Sequence, residues 1–193
     1  DVVFVKTVVY EALLEIHEAI GKLKHLAKPE SMRKELAKGG RARKISVGKV
    51  MRRAAIKMEL EAESKDQVIV EMVDMLCAEG KVNDRDKALE AVRSRERSMS
   101  TGMQHGIALP HGKCEAVSSM TVAIAFKKQG LDFQSIDGYP SRIFFLVLSP
   151  EQSTGPHIQF LAGISALLNK EDARKQLLAC RDAEEVVRFF AGK

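Results

Sequence analysis

The spacing of apolar residues changes character several times along the chain, and each change predicts an element. Over residues 2–27, Val2, Val5, Val9, Ala12, Ile16, Ala19, Leu23 and Leu26 recur at intervals of three and four. That is a heptad seam on one helix, widened by Val8, Leu13, Leu14 and Ile20. Such a seam packs either on its own domain or against a partner or second copy, and the second case would make the chain a homo-oligomer. Lys28-Pro29 ends the helix, because the residue before proline is biased out of the helical region. Residues 29–44 are polar and basic around Gly39-Gly40. This is the composition of a linker, and the basic tail of a membrane domain looks the same.

Patterning resumes near Ile45. Ile56, Met58 and Leu60 alternate with charged residues and predict a short strand. Ser64, with Gln67 three residues on, opens a helix as a capping box. Its apolar face is Val68, Ile69, Met72, Val73, Leu76 and Cys77, and Gly80 stops it just past Glu79. Asn83 or Asp84 caps a second helix that turns Ala88, Leu89 and Val92 inward and runs to about Arg97. Ile107–Leu109, Met120–Phe126 and Arg142–Leu148 read as strands. His157–Leu168, Glu171–Ala179 and Ala183–Phe190 read as helices, the last capped by Asp182. The expected fold class is α/β, a mixed β-sheet flanked by helices with an N-terminal helical extension. The expected organisation is an amphipathic helix over 1–28, a basic linker over 29–44 and one domain over 45–193.

Composition narrows the function classes. A chain of 193 residues, 45% hydrophobic, can bury a core without disulfide or metal staples. Tryptophan is absent and aromatics are 5%, which argues against a carbohydrate-binding face built on Trp. No run of 18 apolar residues occurs, so no membrane-spanning helix is expected. Cys77, Cys114 and Cys180 are too scattered for a disulfide framework and fit a reducing cytoplasm. The net charge of +5 suggests a polyanionic partner until its location is considered. Residues 1–60 hold 14 Lys/Arg against 7 Asp/Glu, a balance of +7; the other 17 basic and 19 acidic residues leave −2. The basicity belongs to the N-terminal third, and no nucleic-acid partner is expected. The chain starts at Asp1, which fits processing or a piece of something longer, and it shows no secretory signal.

Candidate chemistry centres on GIALPHGK. A short apolar strand delivers the chain to Pro110, whose ring fixes one dihedral. His111 is expected at the strand's end, and Gly112 lets the backbone approach a ligand closely. A rigidly held imidazole there can serve as nucleophile or general base, although Pro-His-Gly alone more often describes a structural loop histidine. Arg95 lies sixteen residues upstream at a helix end. His157 opens a downstream helix after Gly155-Pro156, where N–H groups and the helix dipole suit an anion. A nucleophilic His with a second imidazole and a guanidinium describes a phosphoryl site. Walker and dinucleotide glycine patterns are absent, as are metal-ligand clusters, so no cofactor and no metal are expected. His17 and His25 are assigned no site.

The stretch RERSMSTGMQHGIALPHGK, Arg95 to Lys113, makes residues from about 45 to 190 resemble enzyme IIA of the bacterial sugar phosphotransferase system, fructose–mannitol type. The resemblance implies the mannitol-type enzyme IIA fold. It makes His111 the phosphorylated residue and gives Arg95 and His157 the places of the family's active-site arginine and second histidine. It implies a histidine-phosphorylated carrier protein as donor, an enzyme IIB as acceptor and a cytoplasmic location, with membrane association if the chain is part of a larger transporter. As an alternative it admits a regulatory IIA-like module whose phosphorylation controls an attached or associated transporter or regulator. Gln104 stands where the family usually has Gly or Ala and His105 where Asn, Glu or another small polar residue is commoner, and Glu96 stands at the motif's acidic or amide start.

Overall fold

A computed structural model describes residues 46–191. The N-terminal helix and basic linker expected over residues 1–44 lie outside the described residues. The described chain opens with α1 (Val47–Met51), a single turn capped by the Ser46 hydroxyl and too short to leave a periodic signal. β1 (Ala55–Lys57) follows. Ser64 caps α2 (Lys65–Ala78) by accepting from the Gln67 N–H, while the Gln67 side-chain Oε1 accepts from Glu63 N–H at 2.9 Å. The first contact satisfies one of the free N–H groups of this helix start, and the second holds the residue before its cap. Gly80, at φ +66°, turns the chain out of α2 in the left-handed conformation that costs a residue without Cβ least. Asp84 caps α3 (Arg85–Ser98).

The strands β2 (Ile107–Ala108), β3 (His111–Lys113), β4 (Thr121–Leu131) and β5 (Ser141–Ser149) then complete a sheet with β1. Its order is β1-β4-β5-β2, with β3 also beside β5. β4 and β5 are antiparallel, whereas β1 runs parallel to β4 and β2 and β3 run parallel to β5. The chain ends in α4 (Thr154–Leu168), α5 (Glu171–Leu178) and α6 (Ala183–Ala191), and Asp182 accepts from Glu185 N–H at 2.8 Å at the start of α6. The mixed sheet flanked by helices is therefore as expected.

The sheet is covered on both faces, which explains why its central strands read as continuous apolar runs. Along β5, Phe144, Leu146 and Leu148 join the core under α2 and α3. Ile143, Phe145 and Val147 join the core under α1, α4 and α6. Burying side chains of this size stabilises the fold by about 1.5–3 kcal/mol each. The period of two fixes which face every sheet residue serves, and this decides where the histidines lie.

The edge beside β5 differs from the expected single strand. Ile107 and Ala108 sit opposite Ile143 and Phe144, and His111, Gly112 and Lys113 sit opposite Val147, Leu148 and Ser149. The register is constant across the gap. Pro110 has no N–H for the ladder, and Leu109 turns its N–H to Thr101 O at 3.0 Å. One line of chain is thus broken into two short strands, and His111 begins the second rather than ending the first.

Candidate functional site

His111 shares a sheet face with Val147, the face covered by α4. The next residue, Gly112, faces α3. A Cβ there would lie 3.0 Å from the Ala91 carbonyl carbon and the Val92 nitrogen, so glycine is what lets β3 and α3 approach this closely. Arg95, in the last turn of α3, comes from the opposite side of the sheet and meets His111 at its edge.

Two contacts on the His111 ring require the same tautomer. Nδ1 lies 2.8 Å from the Leu109 carbonyl oxygen, which can only accept, so Nδ1 carries the proton. Arg95 Nε–H donates to Nε2 at 3.1 Å, and a guanidinium can only donate, so Nε2 carries the lone pair. His111 is 3% exposed, and burial with these two contacts holds the ring in one orientation. Arg95 is held in turn, donating from Nη1 to the Met99 carbonyl at 3.0 Å.

His157 is the fourth residue of α4, not its first, because the helix begins at Thr154 after Ser153. Its N–H already donates to Ser153 O at 2.9 Å, so the expectation of a helix-opening residue with an unspent N–H is corrected: Thr154, Gly155 and Pro156 take the first positions. The side chain does arrive at the site. The His157 and His111 ring centroids are 5.5 Å apart at 51°, and His157 is 2% exposed. The three residues that the sequence singled out, His111, Arg95 and His157, therefore converge from β3, α3 and α4.

Sequence reasoning missed the supports. Ser149, at the end of β5, places its hydroxyl 2.7 Å from His157 Nδ1, and nothing in a lone strand-end serine signals this. Glu96 was marked only by its motif position. It is 9% exposed and accepts from Thr101 N–H at 2.9 Å, from the Thr101 hydroxyl and from Lys65 Nζ at 2.5 Å. Lys65 also donates to Ser100 Oγ and Gln134 Oε1, each at 3.0 Å. These contacts clamp the segment that carries the Met99 carbonyl.

Cys114 is buried, three residues from His111. It belongs to the core under α2 and α3, and burial pushes its thiol pKa up, away from thiolate chemistry. His105 is exposed at φ +65° in the turn before β2, with its N–H donated to Asp137 Oδ2 at 2.7 Å. Gln104 beside it is half-buried. Among the described residues, no helix is long and apolar enough to cross a membrane.

The arrangement has close relatives. The solved structure of nitrogen regulatory protein IIA-Ntr from Neisseria meningitidis superposes with a TM-score of 0.68 at 27% identity, over 75% of this chain and 98% of that one. The fold is therefore that of a IIA domain. The family model for the phosphoenolpyruvate-dependent sugar phosphotransferase system, EIIA 2, matches residues 49–193, and the chain belongs to that family, as a phosphotransferase component. The fructose-specific EIIA component of the sugar phosphotransferase system of Haloferax volcanii is 37% identical, over 68% of this chain and 85% of its own length. The fructose-specific EIIABC component of Bacillus subtilis is 35% identical over 74% of this chain, but the match spans only 22% of that longer protein.

Proposed function

We propose that the protein accepts a phosphoryl group on His111 from a histidine-phosphorylated carrier protein and passes it to an enzyme IIB, acting in the cytoplasm. The observation that carries this reading is the His111 tautomer. Leu109 holds the proton on Nδ1, which leaves Nε2 as the nucleophile. In the transfer, the Nε2 lone pair forms the new N–P bond as the donor's N–P bond breaks, and that electron pair returns to the donor imidazole. The Nδ1 proton stays in place, so the phosphorylated ring is cationic and the Leu109 carbonyl dipole stabilises it. Arg95 leaves the lone pair and turns its donors to the phosphoryl oxygens. His157 is close enough to contribute a further donor. The surrounding protein contributes alignment, because the rings are buried and braced.

The test is incubation with phosphoenolpyruvate, enzyme I and the histidine carrier protein. Wild-type protein gains acid-labile, base-stable label and His111→Ala gains none. An unlabelled wild type, or equal label on the variant, would overturn the reading. A regulatory role is the second reading, favoured by the IIA-Ntr structure above. It predicts that label accumulates and passes to no enzyme IIB.

A further inference from the structure

The two histidines of the site are held by different kinds of partner. Leu109 contributes a carbonyl, which dictates where the His111 proton goes. Ser149 contributes a hydroxyl, which can donate or accept, so the His157 tautomer needs a second argument. Ser149 is fully buried. Among the described residues its hydroxyl has one hydrogen-bond partner, His157 Nδ1 at 2.7 Å. Its backbone carbonyl is occupied separately, accepting from Cys114 N–H at 3.0 Å. If Nδ1 carried the proton, the hydroxyl would accept and its own O–H would be buried without an acceptor, at a cost of about 1–3 kcal/mol. If the hydroxyl donates, both atoms are satisfied and the His157 proton sits on Nε2.

We infer that Ser149 is a positioning residue that sets His157 in the Nε2–H tautomer, opposite to that of His111. The inference rests on the phosphoryl-carrier reading of the site and deepens it. A phosphoryl acceptor needs one ring with a bare nitrogen and, beside it, donors for the phosphoryl oxygens. Leu109 and Ser149 divide those roles between two chemically identical side chains. β5 makes this possible, because His111 pairs with Val147 and Ser149 lies two residues further along β5 on the same face. The strand that registers the nucleophile therefore also carries the group that orients its neighbour.

The experiment uses the full chain, uniformly labelled with ¹⁵N and unphosphorylated, at a pH where both rings are neutral. Long-range proton–nitrogen correlation assigns each ring nitrogen. The expected pattern is a bare Nδ1 and protonated Nε2 in His157, with the reverse in His111. A protonated Nδ1 in wild-type His157 overturns the inference whether or not the protein carries phosphate. Ser149→Ala is expected to lose the His157 pattern and to slow labelling by roughly tenfold, the scale of losing a group that orients a functional imidazole. Ser149→Thr, which keeps the hydroxyl, restores both. Unchanged ring signals and an unchanged rate in Ser149→Ala also overturn it. A wild type that takes no label but shows the expected ring pattern overturns the carrier reading alone.

Discussion

Arg95 donates from Nε to His111 Nε2 at 3.1 Å, so the guanidinium occupies the lone pair that the proposed reaction uses. The same residue is tethered through Nη1 to Met99 O. One planar fork thus spans a fixed backbone acceptor and His111 Nε2, and in the proposed reaction a small rotation would move donors from the nitrogen to a group bonded there. Removing the fork by Arg95→Ala is expected to cut the labelling rate by about a hundredfold or more, the usual loss for one donor to a developing charge. Arg95→Lys is not expected to restore it, since an ammonium lacks the paired geometry. The measurement is the initial rate of label transfer from the phosphorylated carrier. A lysine variant at wild-type rate would refute the fork argument.

Glu96 connects the site to the fold. Its carboxylate holds Lys65 and both polar groups of Thr101, and its truncation leaves the buried Thr101 N–H without an acceptor and the half-buried Lys65 ammonium with only Ser100 and Gln134. Glu96→Ala is expected to cost about 1–3 kcal/mol, read as a lower midpoint in urea. Because the clamped segment carries the Met99 carbonyl, the labelling rate should fall even at temperatures where the variant remains folded. A variant with lowered stability but wild-type labelling would limit Glu96 to a structural role.

Gly112→Ala tests the approach of β3 to α3. The new methyl would press on Ala91 and Val92 backbone at 3.0 Å, where neither side can yield without moving helix or strand. The expected cost is roughly 1–3 kcal/mol, as for other overpacked interiors, together with slower labelling because the displaced residue adjoins His111. Full stability and full rate in Gly112→Ala would contradict the close packing.

Glu71 makes stability depend on pH. Burial pushes its carboxyl pKa up, but hydrogen bonds from Lys57 and from the Ala62 and Glu61 N–H groups outweigh this and hold it below the ordinary 4.5. The unfolded state therefore binds more protons as the pH falls through that window. The contribution is complete above the unfolded value and is lost as the pH drops through the lower folded one. Thermal melts of wild type and Glu71→Gln across acid pH should show a gap that narrows as the pH falls. A gap that stays constant would reject this assignment.

Among the described residues, the one-dimensional pattern determined which segments form helices and strands wherever a repeat ran long enough. The Ser64 cap, a cap at Asn83 or Asp84, the Gly80 stop and the apolar strands β4 and β5 were all legible, because these depend on neighbours in sequence; the structure selects Asp84. The family motif likewise marked Arg95 and His111, and the wider resemblance marked His157. A single turn such as α1 left no period to read. The break at Pro110 was misread, because whether a proline ends a strand or interrupts it depends on β5 lying alongside. Only the tertiary structure decided that His111 and His157 share a face while Arg95 reaches them from the other side of the sheet. It alone supplied Leu109 O, Met99 O, Ser149 and the Lys65–Glu96–Thr101 clamp. Backbone carbonyls and an isolated hydroxyl carry no pattern in a sequence. They acquire a role when register and packing bring them within hydrogen-bond distance of a ring, and that distance selects a tautomer.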